Sequence, residues 1–229
     1  MPTERQRLEY LAALGIDVWI PRGQDGPAPA EVVDDRLAAD SPGPDWDELR
    51  ATVAGCTLCP LHRHRTQTVF GVGNYSADWM IIGEAPGAEE DRRGEPFVGR
   101  AGKLLDEMLR AVGLDRDTVF IANILKCRPP NNRDPVAGEA QACRAYLERQ
   151  IELIRPRLIL AVGRVAAQQL LHSNAPVGRM RGRPHSLNNG RLPVVVTYHP
   201  AYLLRSPSQK RKVWEDLCLA RKIVQESQP

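Results

Sequence analysis

Hydrophobic positions along the chain follow three successive regimes. The first is helical: Leu8, Leu11, Ala12 and Leu14 share one face of a segment that Thr3 can cap, with Gln6 at the capping-box position and Gly15 as the stop. From Pro21 to Pro44 the periodicity is lost among prolines, glycines and the acids Asp25, Glu31, Asp34, Asp35 and Asp40, a composition suited to a solvated tether. From Asp45 onward short β-rich runs alternate with amphipathic stretches. The runs Thr66 to Phe70, Trp79 to Ile82, Val119 to Ile124, Leu158 to Val162 and Val194 to Thr197 predict strands. Gly99 to Val112, closed by Gly113, Val136 to Ile154, Val165 to Leu171 and Ser208 to Val224 predict helices. Strands separated by helices pair in parallel and form an α/β sandwich. The expected organisation is an accessory helix over 1–20, an acidic linker over 21–44 and one domain over 45–229, within reach of a single core.

Charge sharpens this outline. The chain has 31 Lys and Arg against 28 Asp and Glu, yet the 61 residues from Leu153 to Val213 contain 11 positive charges and no acid. The remainder carries 20 positive against 28 negative charges. Such asymmetry points to a polyanionic partner for the basic portion. No stretch approaches the roughly 18 apolar residues needed to cross a bilayer, and the charged first ten residues lack a signal core, so a cytoplasmic protein is expected. Five cysteines are too few and too uneven for a secreted disulfide scaffold; in a reducing compartment they more often bind metal or do chemistry.

In a parallel sheet, ligands bind at the loops after the carboxyl ends of the strands, and here those loops hold the unusual residues. Trp79 to Ile82 runs into Gly83-Glu84-Ala85-Pro86-Gly87 and on through Glu89-Glu90-Asp91 to Pro96-Phe97-Val98-Gly99. The next strand delivers Asn123 and then Lys126-Cys127-Arg128-Pro129-Pro130. Leu158 to Val162 ends in Gly163-Arg164, and Val194 to Val196 leads to Thr197-Tyr198-His199-Pro200-Ala201-Tyr202-Leu203-Leu204-Arg205. Singly, each has an ordinary structural explanation as a turn glycine, an Asx turn or a core ring. Together, at successive strand ends, they describe a pocket. Cys56-x2-Cys59 is a strong ligand signal, and Cys127 and Cys143 complete a set of four thiols suited to zinc or to a [4Fe-4S] cluster, which spacing does not separate. Cys218, on the last helix, reads as a core thiol.

These motifs, in this order from Asp45 to about Gln225, closely resemble the family 4 uracil-DNA glycosylases. The resemblance implies a three-layer α/β/α sandwich with a central, mostly parallel four-stranded sheet. It selects a structural [4Fe-4S] cluster on Cys56, Cys59, Cys127 and Cys143 that holds DNA-contacting loops. It also implies uracil-containing DNA as the partner, with no membrane; a monomer is expected. A base within a duplex is reached only by flipping it into a pocket. Asn123 can accept from uracil N3–H and donate to O4, whereas cytosine reverses both polarities. Phe97 would stack on the ring, and His199 would stabilise the charge growing on the leaving base. Glu84 and Glu90 are the carboxylates available for water and for the cationic sugar, with Ala85 and Pro86 completing the substrate-binding turn. Family 1 enzymes carry Gly-Gln-Asp-Pro-Tyr at that turn, and Ala85 and Gly87 here lack its Asp and Tyr. Arg179, Arg181, Arg183 and Arg205 are the expected phosphate contacts. Lys126 is expected at phosphate or solvent, which makes the enzyme monofunctional. A non-catalytic iron-sulfur protein that binds uracil-containing DNA is the competing reading. The related cross-linking family places a histidine in an insert after the Asn motif, and Asn123 to Pro135 contains none.

Overall fold

The computed structural model describes residues 44–187 and 190–226. The accessory helix and all but the last residue of the linker lie outside the described residues. Four strands, β2 (Trp79–Gly83), β3 (Phe120–Asn123), β4 (Leu158–Val162) and β6 (Leu192–Thr197), form the parallel heart of the sheet. Every residue of β2, β3 and β4 is buried, as strands covered on both faces must be. Successive side chains point to opposite faces: Met80 and Ile82 join one core, while Trp79 and Ile81 join the other. The first core packs under α1 (Pro44–Ala54), α4 (Ala137–Ile154) and α5 (Arg164–Leu171). The second packs under α3 (Arg100–Ala111), through Leu105, Met108 and Leu109 at helical spacing, and under α8 (Lys210–Glu226), through Val213, Leu217 and Ala220. This is the expected three-layer sandwich.

The sheet has six strands rather than four, in the order β1-β3-β2-β4-β6-β5. β1 (Val72–Gly73) and β5 (Pro184–Leu187) are antiparallel edges. β5 alternates between exposed and half-buried positions, so it lacks the apolar run that reveals a central strand, and an edge tolerates its proline. Thr66 to Phe70, in turn, is not a strand. Val69 and Phe70 are buried in the core, but the backbone finds its partners elsewhere: Thr66 N–H donates to the buried Asp91 carboxylate at 2.9 and 3.0 Å, and Val69 N–H to the Lys126 carbonyl at 2.8 Å. Its β-branched residues reported burial, not ladder pairing.

Parallel register then places the functional ends side by side. Gly83 pairs with Asn123 and Val162 with Thr197, so the loops that follow all leave from one edge of the sheet. The remaining short helices are α2 (Ala88–Arg93), α6 (Val177–Met180) and α7 (Pro200–Arg205).

Candidate active site

A cleft of about 910 Å³ opens at that edge, and Glu84, Ala85, Pro86, Glu90, Phe97, Asn123, His199 and Arg205 all line it. Gly83, the last residue of β2, precedes the lining turn. A Cβ there would stand 2.5 Å from Asn123 Oδ1 and 2.5 Å from Phe97 Cζ, so only glycine lets the amide and the ring approach across the strand end. Asn123 is 2% exposed, and its Oδ1 is a buried acceptor with no hydrogen-bond partner among the described residues. An orphan of this kind costs about 1–3 kcal/mol, a cost that a donor on a bound molecule would remove.

His199 is the N-cap of α7, and its Nδ1 accepts from the Ala201 N–H at 3.1 Å. That bond leaves Nε2 as the protonated nitrogen. Burial first, then the Arg205 charge, lowers the imidazole pKa to about 4 against an opposing pull from Glu90. Near pH 7 His199 is therefore a neutral donor. Its ring stacks on Phe97, with centroids 5.6 Å apart and planes at 28°.

The two carboxylates separate. Glu84 is half-buried, with its carboxyl raised to about 7 by burial and then by Asp134, which also shares a hydrogen bond with it, while Arg164 opposes the rise. Asp134 is in turn ion-paired with Arg164. Glu90, by contrast, is committed to the backbone: its Oε1 accepts from Val98 N–H at 2.9 Å and Gly99 N–H at 3.0 Å. Of the two, Glu84 has the environment for proton transfer, and Glu90 holds the Phe97 loop. Asp134 and Arg164 are neighbours of Glu84 that the sequence does not reveal as a pair, since 29 residues separate them.

Cys56, Cys59, Cys127 and Cys143 line one pocket on the α1 and α4 side, together with Arg65, Lys126 and Tyr146. Arg65 donates to Cys127 Sγ at 3.1 Å and the Lys126 N–H to Cys143 Sγ at 3.5 Å. As they stand, no three His, Cys, Asp or Glu side chains among the described residues meet closely enough to hold a metal ion. Burial raises both inner thiols, Cys143 to about 11. Lys126 corrects the sequence expectation outright: it is 1% exposed, and its Nζ donates to the Asn123 carbonyl at 3.0 Å and to Gln150 Oε1 at 2.6 Å. Both partners are neutral, and burial brings its pKa down to about 7. Four thiols around one pocket, with the Arg65 guanidinium and the Lys126 backbone N–H already donating to two of the sulfurs, are a donor set that fits iron and sulfur.

The sequence is also similar to proteins of known family. The uracil DNA glycosylase superfamily matches residues 70–218. The type-4 uracil-DNA glycosylase of Archaeoglobus fulgidus is 41% identical over 189 residues, covering 80% of this chain and 95% of that protein. That of Thermotoga maritima is 45% identical over 175 residues, covering 75% and 91%. The chain belongs to the type-4 uracil-DNA glycosylases. A type-5 uracil-DNA glycosylase of Pyrobaculum aerophilum is more distant, at 29% identity over 167 residues.

In this type-4 glycosylase the basic stretch is less bare than its sequence reads. Acids from outside it reach in: Asp78 pairs with Arg157 at 3.2 Å, Asp134 with Arg164, and Glu215 with Arg211 at 3.6 Å. Arg181 is also removed from the expected phosphate contacts. Its guanidinium binds the fully buried Asp216 at 2.9 and 3.0 Å and Glu215 at 3.3 Å, while Asp216 also holds Gly182 N–H and Thr197 Oγ1. Arg181 is thus a brace between α6, β6 and α8. Arg179, Arg183 and Arg205 are exposed.

Proposed function

We propose that this glycosylase flips uracil out of DNA and hydrolyses its N-glycosidic bond, leaving an abasic site. The observation that carries the reading is the orphan Oδ1 of Asn123, in the same cleft that Phe97 and His199 line, with no Cβ on Gly83 to hold the amide and the Phe97 ring apart. Uracil N3–H would satisfy that acceptor, the amide N–H would donate to O4, and Phe97 would cover one face of the ring. As the C1′–N1 bond breaks, its electron pair passes into the uracil ring and charge collects at O2, where the neutral His199 donates from Nε2. A water attacks C1′ of the cationic sugar and gives its proton to Glu84, and uracil leaves as the anion to take a proton from solvent. Arg179, Arg183 and Arg205 would bind phosphate and supply affinity without reading sequence.

Cys56, Cys59, Cys127 and Cys143 would hold the [4Fe-4S] cluster, which when bound would tie the segment after α1 to α4 and to the loop that follows Asn123. Purified protein is then brown, with about four irons per chain; stoichiometric zinc without iron overturns the assignment.

Single-turnover cleavage of a uracil-containing oligonucleotide, developed with alkali, tests the whole reading, and binding without strand breakage would reject it. The same assay resolves Glu84. A carboxyl raised to about 7 must be ionised to take a proton, so the rate rises as pH passes through about 7 and is level above it. His199 adds no acid limb until pH approaches about 4. Glu84→Gln abolishes the limb near 7; its persistence in that variant removes Glu84 from water activation.

A further inference from the structure

Phe97 holds a φ of 55°, in the left-handed region, which a bulky side chain enters only where its surroundings over-determine it. Contacts from three directions do so. Glu90 Oε1 takes the Val98 and Gly99 N–H groups that follow the ring. Arg116, from the turn between α3 and β3, takes the carbonyls that precede them, donating to Pro96 at 2.7 Å and to Phe97 at 3.2 Å. Asp106 on α3 steadies that guanidinium at 3.1 Å. Finally, the Phe97 carbonyl oxygen would lie 1.7 Å from a Cβ at position 102, so the turn rests on α3 only because Gly102 has none.

We infer that Arg116 is a positioning residue for base capture: by fastening the carbonyls of a strained turn whose amides Glu90 fastens, it keeps the Phe97 ring preset for the base. Arg116 is not among the residues that line the cleft. Its effect passes through the backbone. Without it the carbonyls of the turn are unfastened, Phe97 relaxes toward the extended region, and the ring swings away from Gly83 and His199. The inference rests on Phe97 stacking on the base.

The experiment is a double-mutant cycle of Arg116→Met and Phe97→Ala. Four readouts are followed: single-turnover excision, inhibition by free uracil, affinity for DNA carrying an abasic-site analogue, and thermal midpoint. Arg116→Met slows excision and weakens uracil inhibition by about tenfold each, on the scale of one lost base–aromatic stack. Abasic-analogue affinity is unchanged, and the substitution has no further effect in the Phe97→Ala background. Arg116→Lys, which still reaches one carbonyl, recovers part of the loss. Gly102→Ala, which displaces the same carbonyl from the other side, has the same phenotype, and these two variants carry the test should Arg116→Met fold poorly. Full additivity with Phe97→Ala, a parallel loss of abasic-analogue affinity, or a full rate in Arg116→Met or Gly102→Ala overturns the inference. A full rate in Phe97→Ala alone rejects the stacking reading itself.

Discussion

His199→Ala slows uracil excision by about 10²–10³-fold and leaves DNA affinity nearly unchanged. The magnitude is that of removing one pre-aimed donor from a site where negative charge develops. Three features prepare His199 for that task before substrate arrives: the α7 cap locks the tautomer, burial and Arg205 keep the ring neutral, and stacking on Phe97 fixes its plane. A neutral donor also avoids holding a buried cation, and its proton is present across the physiological range. Single-turnover rates and binding isotherms on one uracil-containing oligonucleotide separate the two effects. Equal losses in rate and affinity would take His199 out of the chemistry and leave it a binding residue.

Asn123→Leu should cost about a hundredfold in excision while leaving the fold as stable as before, or more so. Two hydrogen bonds to the base disappear, each worth about 0.5–1.5 kcal/mol, and the polar edge of uracil meets an apolar wall instead. The protein without substrate, however, loses an unsatisfied buried acceptor and gains a side chain of similar shape. A lower rate with an unchanged or higher thermal midpoint is therefore the signature of a group kept for its ligand at the expense of stability. If the midpoint falls together with the rate, Asn123 is part of the core architecture and its orphan acceptor has no bearing on uracil.

Much of this architecture is legible in one dimension. Runs such as Leu158 to Val162, apolar at every position, identify strands buried on both faces, and parallel pairing then obliges Gly83, Asn123, Gly163 and His199 to lie along one edge. The four cysteines likewise announce a shared site, which the structure gathers around one pocket. What one dimension hides are partnerships between distant residues. Lys126 reads as a surface cation in a basic motif, but Gln150, 24 positions away, and the Asn123 carbonyl take it into the core. Arg181 reads as a DNA contact until Asp216, 35 positions away, claims it. Glu84 and Glu90 look interchangeable until one faces Asp134 and the other two backbone amides.

The sequence alone determined the layered fold, the edge at which chemistry gathers and the residue types present there, because burial periodicity and strand direction are local properties that a parallel sheet converts into position. Only the tertiary structure decided which charges remain available, which nitrogen of His199 carries the proton, and how Phe97 is held. Each of these depends on desolvation and on a partner brought within about 3 Å by packing, and no spacing along the chain records that distance.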